Sequence, residues 1–268
     1  MSDDVELVVE RVATSRRYRD VDAGLVRRVA REELLRARTR DEAVKRVKRR
    51  LHQAVGAFAR GAPRAAALRD AWHGDLADPA FRAACVAALR THASTAERIP
   101  YLPTFYRAIW ELTGTPSALL DLGCGLGPLA LPWMDLAADA TLIAVDVDGD
   151  ALAAVDTFLD LVGQPHRTME RDLVSVAADE EADVALLLKL VTTLDRQDPD
   201  AATRLVRGLR VDHAAVSFTR RSLGGRSRGM ERTYRERMDR LASSVGAVEV
   251  REASVPNELV FVLTLARG

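Results

Sequence analysis

The segment that most constrains this chain is Leu119-Leu120-Asp121-Leu122-Gly123-Cys124-Gly125-Leu126-Gly127, an apolar run ending in a G-x-G-x-G turn. Apolar residues leading straight into closely spaced glycines read as a strand entering a helix, with a ligand laid against bare backbone. Alone, such a turn is an ordinary strand–helix connection, so the residues around it decide the reading. A dinucleotide fold spaces its glycines G-x-G-x-x-G and sets pyrophosphate on the helix N-terminus. Here the spacing differs, and Asp121 stands two positions before the first glycine. A carboxylate there repels pyrophosphate and suits a ligand carrying an ammonium and a sulfonium.

Two further carboxylates close the next two β-type runs. Asp146 ends Ala144-Val145-Asp146, where a carboxylate accepts ribose hydroxyls. Asp172-Leu173 follows the third run, where a side chain and an adjacent N–H read an adenine edge. Asp148 fits better as a helix cap. Any one of these positions is commonly a cap. The ordered set of three after three successive strands points to S-adenosylmethionine rather than NAD(P).

The rest of the chain supplies the frame for that turn. Residues 1–113 read as an all-helical domain, and residues 114–268 as a doubly wound α/β domain, with the change at Thr113-Gly114-Thr115-Pro116. In the first part, Asp22 caps a helix to about Arg38, and Thr39 and Glu42 form a capping box for a helix to about Ala59. Asp78-Pro79 opens another helix, and Ser94 and Glu97 form a second capping box. In the second part, strands are expected at 118–122, 141–145, 166–171, 182–188, 213–218, 247–253 and 258–265, with helices between them. The last two strands face each other across Val255-Pro256-Asn257, so one antiparallel strand joins a mostly parallel seven-stranded sheet, the arrangement of class I methyltransferases. Residues 220–229 read as a mobile loop.

A formal net charge of zero conceals segregation. Residues 11–60 carry 16 Lys and Arg against 6 Asp and Glu, and residues 220–240 carry 8 against 3, leaving 15 basic and 30 acidic residues elsewhere. Such blocks are either solvated helix faces or a phosphate-binding surface, because releasing counterions from phosphates drives nucleic-acid affinity. No apolar run reaches the length of a membrane span, and the acidic, amphipathic start MSDDVELVVERV matches neither a signal nor a transit peptide. The two cysteines, Cys85 and Cys124, have no metal-ligand spacing, so no metal, no disulfide and a cytoplasmic location are expected.

The chemistry is narrowed mainly by what is missing. After the fourth strand the chain reads Leu188-Lys189-Leu190-Val191-Thr192, not the Asn/Asp-Pro-Pro-aromatic motif used on exocyclic amines. Cys124 sits in the glycine turn and Cys85 in a helix, which gives both a packing role rather than the nucleophile of carbon-5 methylation. With no general base in the usual places, a ring nitrogen with a free lone pair fits best.

These residues resemble the aminoglycoside-resistance 16S rRNA methyltransferases that modify guanine N7 in the decoding site. The markers run nearly end to end: Ser15-Arg16-Arg17-Tyr18, Val44-Lys45-Arg46 through Gly56-Ala57-Phe58, His92-Ala93-Ser94-Thr95, Glu97-Arg98, the glycine turn with Pro128 to Met134, Pro165-His166-Arg167-Thr168, Leu186-Leu187-Leu188-Lys189, Ser222-Leu223-Gly224, Arg226-Ser227, Gly229-Met230 and Asn257-Glu258-Leu259. The chain departs from the family with glycines where Ala and Asn are usual in the turn, with Leu190 to Asp195, and with Gly225 in place of Gln.

The resemblance implies that Phe58, His92, Ser94 and Arg98 reach the cofactor, with Arg98 on the methionine carboxylate. It implies that Gly123, Asp146, Val147, Asp172, Leu173, Leu188 and Gln197 complete the pocket, beside Asp121 and Gly125 read from the turn itself. It places Arg16, Arg17, Lys45, Arg46, Lys48 and Arg49 on rRNA phosphates, and Arg226 and Arg228 near a flipped-out nucleotide with Met230 near its base. Lys189 reads either as a wall of the site or as a surface charge. Glu258 reads either as a sheet-edge carboxylate or as a contact to the base. Catalysis then rests on positioning rather than on acid–base chemistry. The implied partner is the small ribosomal subunit, met by a monomer. The departures leave two alternatives, another decoding-site base such as adenine N1, or a protein that binds cofactor and subunit with little activity.

Overall fold

In the computed structural model, residues 2–56, 63–220 and 227–266 are described. Seven strands form one sheet: β1 Ala118–Leu122, β2 Thr141–Asp146, β3 His166–Glu170, β4 Glu181–Leu188, β5 Arg210–Thr219, β6 Glu249–Ala253 and β7 Glu258–Thr264. Their order is β3-β2-β1-β4-β5-β7-β6. The first five run parallel, and β7 is antiparallel to both β5 and β6. The parallel-to-antiparallel change expected at Val255-Pro256-Asn257 is there, with Asn257 in the left-handed region at φ 62°. Central strands are buried on both faces, whereas the edge strands β3 and β6 are mostly half-buried or exposed and carry charged residues, which discourages further pairing at an edge.

The helices are α1 Ser2–Ala13, α2 Ala23–Leu34, α3 Arg40–Leu51, α4 Ala65–Ala71, α5 Pro79–Leu89, α6 Ala93–Ala96, α7 Leu102–Thr113, α8 Gly149–Val162, α9 Val191–Asp195, α10 Ala201–Gly208 and α11 Ser227–Val245. Caps read from sequence are in place at several starts. Asp22 accepts from Leu25 N–H at 2.6 Å, Asp78 from Phe81 at 2.9 Å and Asp148 from Ala151 at 3.1 Å. Differences from expectation are local. The second and third helices end earlier, at Leu34 and Leu51, and a π-helical turn covers His52–Gly56. A 3-10 helix over Gly127–Trp133 replaces an α-helix, because Pro128 and Pro132 remove backbone donors. The short α4 and α9 carry too few turns to show a period. Of the expected loop at 220–229, residues 221–226 lie outside the described residues, and Ser227 already opens α11.

Hydrophobic packing falls into three parts. One face of the sheet packs α4, α5, α7 and α8, with Phe81, Phe105, Ile109 and Phe158 at its heart. The other packs α9 to α11, with Leu194, Leu205, Met238 and Leu241. Helices α1 to α3 close a third core of their own around Val8, Leu25, Val29, Val47 and Leu51. Backbone bonds seat this third unit on the carboxyl edge of the sheet: Asp22 N–H donates to Val147 O at 2.9 Å and Gly149 N–H to Asp20 O at 2.7 Å. Gly149 is required there, since a Cβ would stand 2.8 Å from Asp20 O.

Candidate cofactor and RNA site

The carboxyl edge opens into a cleft of about 750 Å³ beyond the ends of β1, β2 and β4, where the strand order reverses between β1 and β4. Ligands of open α/β sheets bind at such a point. The turn after β1 enters it with Gly123 at φ 63° and Gly125 at φ 50°, conformations L side chains rarely adopt. A Cβ on Gly123 would stand 2.8 Å from Leu190 Cδ1, and one on Gly125 2.7 Å from His92 Cε1.

Asp146, at the end of β2, braces this turn. Its Oδ2 accepts Gly125 N–H at 2.7 Å, and its Oδ1 accepts Val147 N–H at 2.7 Å and Asp148 N–H at 3.0 Å. A carboxylate has about four acceptor sites, so one remains for a ligand hydroxyl. Burial raises the Asp146 carboxyl above its ordinary value and those three N–H groups oppose the rise. Burial also pushes Asp148 up to about 6.

Of the cofactor residues expected from sequence, His92, Ser94, Gly123, Asp146, Val147, Asp172, Leu173, Leu188 and Gln197 all line the cleft. Three others lie off its wall. Gly125 acts through its N–H on Asp146 and through its fit against His92. Asp121 lies buried beneath the turn, 2% exposed, and burial pushes its carboxyl up to about 7 against the pull of Arg98. Arg98 is buried as well, with its Nε 2.9 Å from Glu258 Oε1 and its guanidinium over the Phe105 ring. Phe58 lies outside the described residues.

Lys189 is a wall of the site, 11% exposed, in the left-handed region at φ 62°. Its N–H donates to Ser217 O at 3.1 Å, and this reversal after β4 sends its ammonium toward α6. There it donates to Glu97 Oε2 at 2.6 Å and Ser94 O at 3.2 Å, with Glu258 Oε1 at 3.4 Å. Glu258 is a sheet-edge carboxylate, 2% exposed. Burial works against its charge, but Arg98 and Lys189 outweigh it and hold the group below its ordinary value.

These contacts explain why the second capping box fails. Ser94 Oγ bonds His92 Nδ1 at 3.0 Å and Glu97 bonds Lys189, so neither is left to cap the helix, which starts at Ala93 with His92 before it. Local signal yields to the site. Cys85 and Cys124 are both buried and free, and burial pushes the Cys85 thiol up to about 12. Among the described residues no group of His, Cys, Asp or Glu is placed to hold a metal, and no helix is long and apolar enough to cross a membrane.

Several lining residues carried no sequence signal. Leu25 of α2 and Ala54 and Val55 of the π-helical turn reach in from the helical unit, Leu190 from just before α9, and Thr193 and Leu194 from α9. A broader opening of about 1420 Å³ adjoins the cleft, shares His92, Val55 and Asp148 with it, and is lined by Arg16 and Arg17. Arg16, Arg17, Lys45 and Arg49 are exposed and Lys48 half-buried. Arg46 differs, because it donates to buried Glu33, which Arg50 also holds at 3.2 Å. Arg226 and the Arg228 side chain lie outside the described residues. Met230 is half-buried in the first turn of α11 and does not line the cleft.

The donor set fits a sulfonium nucleoside. The turn offers no cation for pyrophosphate, the buried carboxylate at the end of β2 keeps an acceptor site, and Val147, Leu173 and Leu188 form an apolar slot. Sheet order and site together define a class I S-adenosylmethionine-dependent methyltransferase with an added helical unit. A family model described as ribosomal RNA methyltransferase (FmrO) matches residues 14–262, and the chain belongs to that family. A 16S rRNA (guanine(1405)-N(7))-methyltransferase of Frankia casuarinae is 42% identical over 267 residues, covering 97% of this chain and 93% of that protein. One of the same name from Micromonospora echinospora is 38% identical, with 97% of each chain covered. The crystal structure of 16S rRNA methyltransferase RmtF in complex with S-adenosyl-L-homocysteine superimposes with a TM-score of 0.83 at 32% identity, covering 99% of this chain and 100% of that one.

Proposed function

We propose that the protein methylates N7 of a decoding-site guanine in 16S rRNA, within the small ribosomal subunit, and so protects its host against aminoglycosides. The observation that carries this reading is the cleft itself, which joins a nucleoside site on the sheet edge to an opening lined by Arg16 and Arg17. The curated relatives bear the same activity in their names.

Asp146 holds the ribose, Asp172, Leu173 and Gln197 the adenine end, and Gly123, His92, Ser94 and Leu188 the methionine end. Bound S-adenosylmethionine supplies an electrophilic methyl group. Guanine N7 has no proton to lose, so the chain needs no base there and works by alignment. Lys189, fixed by Glu97 and the Ser94 carbonyl, walls the side of the cleft nearest α6. Arg98 and Glu258, held by each other under that wall, position Lys189 rather than contact the cofactor.

Helices α1 to α3 form the docking unit. Arg16, Arg17, Lys45, Lys48 and Arg49 contact rRNA phosphates, Arg226 and Arg228 the target strand, and Met230 the base. The protein acts in the cytoplasm as a monomer. Expression in a susceptible bacterium, followed by cleavage mapping at N7-methylguanine, tests the proposal. A single modified guanine in the decoding site is expected, and an unmodified decoding site in cells making folded protein overturns it.

A further inference from the structure

Asp172, just after β3, has a full carboxylate. Its Oδ1 accepts Val174 N–H at 3.1 Å and Arg28 Nη2 at 3.2 Å, and its Oδ2 accepts Arg28 Nε at 2.7 Å and Ser175 Oγ at 2.9 Å. These fill the roughly four acceptor sites of an ionised carboxylate. Two of the four belong to one guanidinium from α2, 144 residues away in the chain. The same Nη2 donates to Gln197 Oε1 at 2.8 Å. Both Asp172 and Gln197 line the cofactor cleft. A bidentate pair, only 16% exposed on the arginine side, thus ties the docking unit to the end of the cleft assigned to adenine.

We infer that Arg28 is a cofactor-responsive latch, holding Asp172 in competition with the adenine amine and so coupling cofactor loading to the docking helices. Asp172 can accept a new donor only by releasing one it already holds. The Val174 N–H and the Ser175 hydroxyl belong to the same turn as Asp172, so the Arg28 fork is the donor carried on a separate element and able to withdraw with it. This rests on the assignment of Asp172 to the adenine end made above.

Arg28 has a second carboxylate in reach. Glu32, one turn along α2, lies 3.4 Å from its Nη1. Glu32 also accepts from Arg50 of α3, Arg50 reaches Glu33, and Glu33 holds Arg46. A continuous line of ion pairs therefore runs from the cleft to the basic helix. Moving Arg28 from Asp172 to Glu32 loosens the hold on Arg50 and leaves more positive charge for phosphate. Coupling between two sites is reciprocal, so a docked subunit favours loading to the same degree.

The test is calorimetric titration of S-adenosylhomocysteine into the full chain for the wild type, Arg28→Met, Arg28→Lys and Asp172→Ala, with hydrogen exchange over residues 23–34 in the wild type. With competition, Arg28→Met binds at least about fivefold tighter, the lower end of ordinary coupling, and Arg28→Lys lies between it and wild type. Asp172→Ala binds more weakly, and α2 exchanges faster once ligand is added. A purely structural pair gives the opposite pattern: both arginine variants bind no tighter and α2 exchanges no faster. That result with a weakened Asp172→Ala overturns the latch and leaves the adenine assignment standing. An Asp172→Ala protein that binds as the wild type does overturns both.

Discussion

Asp146 Oδ2 accepts the Gly125 N–H at 2.7 Å, so the end of β2 and the turn after β1 share one buried carboxylate. The two strands are neighbours in register, Leu122 opposite Val145. That pairing brings the glycine turn and the acid together whatever else varies along the chain. The nucleoside site is thus a product of sheet order before it is a product of individual side chains.

Replacing Asp146 with Asn keeps the shape but turns an acceptor into a donor facing three N–H groups. A buried polar group left unpaired costs about 1–3 kcal/mol. The expected outcome is a lower thermal midpoint and an S-adenosylhomocysteine affinity reduced about tenfold or more, read by calorimetry. Unchanged affinity with a lowered midpoint would reduce Asp146 to a brace for the turn.

Alanine at the two glycines should not be equal in effect. Both sit at positive φ, which costs a side chain about 1–2 kcal/mol. At Gly123 the neighbour is the end of the Leu190 side chain, which can rotate away. At Gly125 it is the His92 ring, held by Ser94. Gly125→Ala should therefore lose more ligand affinity and more stability than Gly123→Ala, by thermal melts and calorimetry on the pair.

Replacing Arg16 and Arg17 together should weaken binding to isolated small subunits and flatten its salt dependence by about one unit of slope per lost phosphate contact. Arg46→Ala should behave differently, lowering the stability of the helical unit because buried Glu33 loses a partner. Filter binding over a salt series, alongside melts, separates the two. Equal salt slopes for wild type and the Arg16, Arg17 variant would remove these residues from the interface.

Asp121 predicts a pH signature. Its carboxyl is raised from an ordinary 3.8 to about 7, with burial the main cause. The stability it contributes is complete below about pH 3.8, where folded and unfolded states are both protonated. Between 3.8 and 7 only the unfolded state ionises, so stability falls as pH rises, by at most about 1.4 kcal/mol per unit. Above 7 the loss is complete. Asp121→Asn should remove this slope, so melts from pH 4 to 8 should show the variant gaining on wild type as pH rises. Parallel curves would mean that Asp121 is not held protonated.

The sheet was legible because its central strands are apolar on both faces and its turns carry glycine and carboxylate at fixed places. For the same reason Gly123, Asp146, Asp172 and Leu173, read from the turns themselves, meet in one cleft. Arg98, His92 and Ser94 could be named only through the family resemblance, since nothing in their spacing says which way a helix end faces. Arg98 then proves to be the buried partner of Glu258, a long-range pairing that sequence distance hides. Arg28 read as one more basic residue on an amphipathic helix. Its bond to Asp172 goes with the docking of residues 20–22 on the segment just after β2, which no local pattern encodes.

The central claim is a nucleoside cleft that works on ribosomal RNA delivered by a basic helical unit. The most direct measurement is transfer of labelled methyl from S-adenosylmethionine to isolated small subunits by the purified protein, followed by nucleoside analysis. One N7-methylguanosine per subunit is the predicted result. No incorporation by protein that binds both cofactor and subunit, or label on another nucleoside, would contradict it.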